Sequence, residues 1–417
     1  MGFADVSCYN GTQVPTPNID RLAAEGIKFT SYYSAAPICS PSRVGLLTGM
    51  MPGRWNFNSF LDTRKHNRTC EQADFLNPVA PSVARQLQAA GYATAHFGKW
   101  HMGGGRDVNN APAITRYGFD EYASTYESPD PDPLLTSTNW IWAKTDSIKR
   151  WQRTAYFVDK TLAFLKRHPG QPCFVNLWPD DVHTPWVPDE STLDQFPGGT
   201  EKPREFKLVL AELDKQVGRL LAGLKELGID DNTLIVFTSD NGPLPSFEGS
   251  RAMPYRGSKL SLYEGGTRMP FIVRYPGHTP AGITDTSSVL SALDLSPTFV
   301  ALGGGPTRPQ PTADGQNVTS ALLGRSLARQ TPLFWEYGRN EVSYRYPLGR
   351  DRSPNLAMRQ GHWKFLLNDD GSDPQLYDLT KNPTETINMA EQQPAVVTKM
   401  RQQLLDWRAT LPGLPLQ

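Results

Sequence analysis

The chain has 417 residues, long enough for one large domain and a smaller one. Lys and Arg together number 42, as do Asp and Glu, so net charge gives no reason to expect a nucleic-acid partner, and anion binding must come from local clusters. No apolar run reaches the roughly 18 residues that a membrane-spanning helix needs.

Thr16-Pro17 through Glu25, followed by Gly26, reads as a capped helix, with threonine at the N-cap, proline in the first turn and glycine past the end. Ile27–Tyr33 reads as a strand that delivers the chain to Cys39-Ser40-Pro41-Ser42-Arg43 and then Val44-Gly45-Leu46-Leu47-Thr48-Gly49. Pro41 suits a first helical turn, because its φ is preset and it has no N–H to lose. Cys39 then lies just before a helix N-terminus, where free N–H groups and the helix dipole favour an anion. Arg43, one turn further on, is placed to aim its fork at the same anion. Taken singly, a buried cysteine and a surface arginine are ordinary; the five residues together are not.

Pro81–Ala90 is a second predicted helix, and Tyr92–Phe97 a strand leading to Gly98-Lys99-Trp100-His101. Lys99 and His101 are two residues apart at a strand's C-terminal end, so in extended backbone they share a face, and ligands bind at such ends in open α/β sheets. Residues 102–145 are loop-rich and read as a rim, in which Arg106 and Asp107 are either substrate contacts or part of a surface turn. Ser147–His168 and Pro203–Leu227 have helical periodicity, their apolar stripes being core packing. Cys173–Trp178 and Thr233–Thr238 read as buried parallel strands. The first ends at Asp180-Asp181-Val182-His183-Thr184-Pro185, the second at Ser239-Asp240-Asn241-Gly242. Asp240 and Asn241 are turn formers by type, and their oxygens also suit a hard cation such as calcium. Lys259 lies in Tyr255–Pro270, ahead of a strand at Phe271–Tyr275.

Strands and helices alternate to about residue 300, which predicts an α/β fold with a doubly wound, mostly parallel sheet and helices on both faces. His362–Leu367 and Gln375–Leu379 then read as antiparallel strands, and Ala395–Leu411 as an amphipathic helix. The expected division is 1–329 for a catalytic α/β domain and 330–417 for a smaller C-terminal α+β subdomain. Cys8, Cys39, Cys70 and Cys173 show no metal-binding spacing, and at most one disulfide is expected among them.

The motif CSPSR followed by LLTG resembles the signature of the type I, formylglycine-dependent sulfatases of the alkaline-phosphatase-like superfamily. TPNIDRLAAEGIKFTSYYS, GYATAHFGKWH, HTP at 183–185, SDNG at 239–242 and YRGSKLSLYEGGTRMP at 255–270 are similar to further stretches of that family, in the same order. The resemblance implies hydrolysis of a sulfate ester on a sulfated small molecule or glycan. The nucleophile would be formylglycine, made from Cys39 by a maturation enzyme. Arg43, Lys99, Lys259 and protonated His183 would be the cationic donors around the sulfate, with His183 placed to protonate the leaving oxygen. Calcium, rather than magnesium, would be held by Asp240, Asn241 and the oxygen at position 39. In the mechanism the family implies, one hydroxyl of the hydrated aldehyde attacks sulfur and releases the alcohol, leaving a sulfated enzyme. His101 then takes the proton of the other hydroxyl, sulfate departs and water rehydrates the aldehyde. Two alternatives are a phosphonate or phosphate ester hydrolase on the same fold, and a member that binds sulfated glycan without turnover.

The family begins with an apolar strand ending in two metal-binding aspartates, followed by a stretch similar to Met1–Tyr9. Met1–Gly11 lacks the basic and apolar regions of a signal peptide. The resemblance therefore implies an upstream segment with signal peptide, strand and both aspartates, and an extracytoplasmic location. It also implies weak calcium binding and little turnover by residues 1–417 alone.

Overall fold

The computed structural model describes residues 1–138, 140–195, 201–305 and 314–413. Helix α1 (Pro17–Ala24) starts at the proline expected in its first turn, and strand β1 (Ile27–Tyr33) follows. Helix α2 (Cys39–Thr48) begins at the cysteine itself. The short helix α3 (Arg64–Thr69) and α4 (Val83–Ala89), N-capped by Ser82, precede the strands β2 (Ala93–Gly98) and β3 (Glu121–Ser124). Helix α5 (Arg153–Arg167) leads to β4 (Cys173–Trp178), and the long α6 (Glu201–Glu226) to β5 (Ile235–Thr238). A one-turn helix α7 (Glu264–Thr267) runs into β6 (Arg268–Arg274), followed by β7 (Ile283–Asp285), β8 (Leu290–Ser291) and α8 (Ala292–Leu302). Helix α9 (Thr319–Leu322) and the strands β9 (Leu333–Glu336), β10 (Leu356–Gln360), β11 (Trp363–Leu367) and β12 (Gln375–Asp378) come next, and α10 (Pro394–Ala409) is last.

The larger part is the expected α/β architecture, with its strands in two sheets. One is parallel, in the order β3-β2-β4. The other is mixed, in the order β5-β6-β1-β7, with β8 also on β1. In it β6 runs antiparallel to both β1 and β5, whereas β7 and β8 run parallel to β1. The link from β5 to β6 carries a short 3-10 segment (Phe247–Ala252) and the one-turn α7 but no long crossover helix, so nothing forces these two strands to be parallel. Strands β4 and β5 are end strands of their sheets, and among the described residues neither has a second partner. Together they line a cavity of about 1030 Å³, with Leu220, Leu295 and Phe299 on its wall. Most residues of β4 and β5 are consequently only half-buried, although both sequences read as core strands.

The C-terminal sheet is antiparallel, in the order β12-β11-β10-β9. It packs on α10, where Phe334 and Trp407 stack with ring centroids 4.9 Å apart. Met358 and Phe365 join Phe29 and Phe271 of the larger part in one continuous core. At this junction Lys364 is fully buried between Glu264, at 2.9 Å, and Glu385, at 3.0 Å. All four cysteines are free thiols, so the one disulfide allowed by the sequence does not form.

Candidate active site

The residues singled out by the sequence converge at the C-terminal ends of β2, β4 and β5, beside the first turn of α2. Gly98 ends β2 at φ 125° with Trp178 so close that a Cβ would lie 2.0 Å from its carbonyl oxygen. Only glycine fits there, and the approach lets the Lys99 N–H donate to Trp178 O at 2.9 Å. Two residues on, His101 adopts φ 54°, left-handed backbone that is strained for a non-glycine residue. That turn carries Lys99 and His101 to Cys39 instead of continuing the strand.

Cys39 is buried at the start of α2, with Lys99 Nζ 4.0 Å from its sulfur. Burial alone would push its thiol up. The charges of Lys99, Lys259 and His101 outweigh that and bring it down to about 5. The position therefore favours an anion, or a nucleophile that becomes one.

Arg43 differs from expectation in its aim. Its Nε and Nη2 donate to Asp240 Oδ2 at 3.0 and 2.8 Å, its Nη1 donates to Lys99 O at 2.6 Å, and its guanidinium lies 5.0 Å above the Trp178 ring. It braces the ends of β2 and β5 on the wall of the cavity that Lys99, His183, Asp240 and Lys259 also line. Although burial pushes Asp240 up, Arg43 and the nearby lysines hold its carboxyl well below the usual range. The Ser42 hydroxyl donates to the carbonyl of Asp240.

His183 follows β4 in a tight turn clamped by Arg150, which the sequence reading missed. The buried Arg150 guanidinium donates to Asp180 Oδ2 and to the carbonyls of Asp180, His183 and Pro185. His183 Nδ1 lies 2.7 Å from Thr184 O, and Nε2 lies 3.0 Å from Lys259 Nζ. A carbonyl only accepts and an ammonium only donates, so the ring carries its proton on Nδ1 and is neutral. The neighbouring Lys259 charge, then burial, hold it well below the usual histidine range. The expected imidazolium is therefore absent in the free pocket, because Lys259 already supplies the positive charge.

Glu127 was also missed. It lies in the loop-rich stretch read only as a rim, where no periodicity marks it. Its Oε2 is 3.0 Å from Lys99 Nζ and 3.2 Å from His101 Nδ1. Burial would raise its carboxyl, but His101, Lys99 and Arg106 hold it well below the usual range. Arg106 contacts Glu127 Oε1 at 3.5 Å and Asp62 at 3.1 Å, whereas Asp107 turns to Arg64.

Asn241 Oδ1 is buried without a hydrogen-bond partner, although its Nδ2 donates to Gly242 O. An orphaned amide oxygen beside the Asp240 carboxylate fits a hard cation in kind. In number these donors make only part of a shell, since no group of three or more His, Cys, Asp or Glu among the described residues is arranged to hold a metal.

A buried position for an anionic nucleophile, with the Lys99 and Lys259 charges beside it where strands of two sheets end, suits the hydrolysis of an ester of a small oxyanion. The chain belongs to the sulfatase family, whose match spans residues 1–305, with a second match to the C-terminal region of N-sulphoglucosamine sulphohydrolase over residues 258–410. It is thus a sulfuric ester hydrolase by family. N-acetylgalactosamine-6-O-sulfatase of Bacteroides thetaiotaomicron is 29% identical over 97% of this chain and 90% of its own length. Human N-acetylgalactosamine-6-sulfatase is 31% identical over 81% and 66%, respectively. Among solved structures, Ps i-CgsB in complex with a neocarrahexaose superposes with a TM-score of 0.81 at 26% identity, covering 98% of this chain and 90% of that one.

Proposed function

We propose that this chain hydrolyses sulfate esters of sulfated carbohydrates, with formylglycine made from Cys39 and a divalent cation, calcium in preference to magnesium, that Asp240, Asn241 and the oxygen at position 39 would hold. The observation that carries this reading is the meeting of Cys39, Lys99, His101, Lys259 and His183 in one buried pocket. Carbohydrate as the substrate class is supported by the galactosamine sulfatases and by the neocarrahexaose complex among the similar proteins. When present, the hydrated aldehyde supplies the nucleophile and the cation polarises it together with the sulfate.

The chain's own residues do the rest. Lys99 and Lys259 offset the charge of the bound ester, which grows on the leaving oxygen as the S–O bond breaks. The Lys259–His183 pair holds a proton between two nitrogens 3.0 Å apart and is placed to release it to that oxygen. His101 stands beside position 39 to take a proton from it. Arg43 fixes Asp240. Residues 1–329 form the catalytic domain in this reading and residues 330–417 the C-terminal subdomain. A formylglycine-generating enzyme is a required partner, and the compartment is extracytoplasmic.

The test is co-expression with such an enzyme, mass analysis of the peptide spanning Cys39, and sulfate release from a panel of sulfated mono- and oligosaccharides. Conversion of Cys39 with only slow sulfate release, as a cation shell supplied in part by Asp240 and Asn241 allows, and loss of that release in Cys39→Ala, are the expected results. Faster cleavage of the matching phosphate or phosphonate esters, or an unmodified Cys39 in folded protein, would overturn it.

A further inference from the structure

A carboxylate in a pocket built for an anion works against binding, so its presence calls for a role. Glu127 is held firmly: the His101 N–H donates to its carbonyl at 2.9 Å. Gly104 lies so close to the next residue that a Cβ there would stand 2.3 Å from Ser128 C. One oxygen, Oε2, reaches both Lys99 and His101, while Oε1 leans on Arg106. His101 Nδ1 is buried and outside hydrogen-bond geometry even at 3.2 Å from that oxygen, so the ring is not locked to the carboxylate.

From this arrangement we propose that Glu127 is a positioning residue that serves product release. It holds the Lys99 ammonium in place, 3.0 Å away, when the pocket is empty. Its negative charge also opposes the inorganic sulfate left after turnover, which carries one more negative charge than the ester. Lys99 then exchanges sulfate for a counter-ion that never leaves the protein. The proposal rests on the reading that the pocket binds sulfate.

Calorimetric titration of the full chain with inorganic sulfate tests it without requiring turnover. Glu127→Gln keeps the shape and removes the charge, and sulfate should bind about tenfold tighter than to the unaltered protein. Glu127→Asp, which draws the carboxylate back by one methylene, should give an intermediate gain. In the steady state Glu127→Gln should lower both kcat and KM for a sulfate ester, the pattern of slowed release. Sulfate affinity unchanged or weakened in folded Glu127→Gln would overturn the proposal. So would failure of both variants to fold, which would assign Glu127 to stability alone. Absence of sulfate-ester turnover by the unaltered protein is a separate result that bears on the sulfatase reading.

Discussion

At position 39 the surroundings turn a thiol into a much stronger acid than free cysteine. With Cys39 unmodified, the ultraviolet absorbance of its thiolate, taken as the difference from Cys39→Ser, should rise with a midpoint near pH 5. The Lys99→Met substitution removes the largest opposing charge and should move that midpoint upward. A midpoint near the ordinary value of about 8.5 would mean that the three cations do not converge as described. Lys259 and His183 test the pocket from the other side. Lys259→Ala should reduce sulfate-ester turnover by roughly 10²–10³-fold, the effect of losing one preorganised donor. It should also move the titration of His183 upward, followed by NMR, since the lysine charge is the main cause of its depression.

Among the elements, the junction of α7 with β11 holds two carboxylates around one ammonium. Lys364→Met leaves Glu264 and Glu385 buried together and should cost about 3–5 kcal/mol, read from thermal or denaturant unfolding. Burial and the Glu264 charge push the Glu385 carboxyl up to about 7, against the pull of Lys364. Its native value then exceeds the roughly 4.3 of an unfolded chain, so between those limits the native state keeps a proton that the unfolded state has lost. That contribution to stability is present at low pH and fades as pH rises through 7. Melting temperatures from pH 5 to 8 should therefore fall more steeply for the unaltered protein than for Glu385→Gln.

The triad at this junction was not legible in the sequence, because its members come from three separate segments and only the fold makes them neighbours. Helices α1, α5, α6 and α10 were legible from period and caps, and β1, β2 and β4 from apolar runs between turn signals. Strands β3, β7 and β8 have two to four residues and show no pattern to read. In the site, Cys39, Lys99, His183, Asp240 and Lys259 stood in motifs, whereas Glu127 and Arg150 act through contacts that no local spacing encodes.

For the molecule as a whole, the division of the α/β part into two sheets matters most. A cavity of about 1030 Å³ between β4 and β5 puts apolar side chains and the outer edges of two strands against the same space. Edges of this kind are templates for further strand pairing. The colloidal behaviour of residues 1–417 should follow from it. Light scattering should rise with protein concentration well below any limit set by the even balance of surface charge, and Val236→Lys, which places an ammonium on the cavity wall, should suppress the rise. Monodisperse protein at high concentration would refute this. If it holds, the same pair of strands that carries His183 and Asp240 to the pocket also sets how concentrated a stock of this protein can be before molecules adhere to one another.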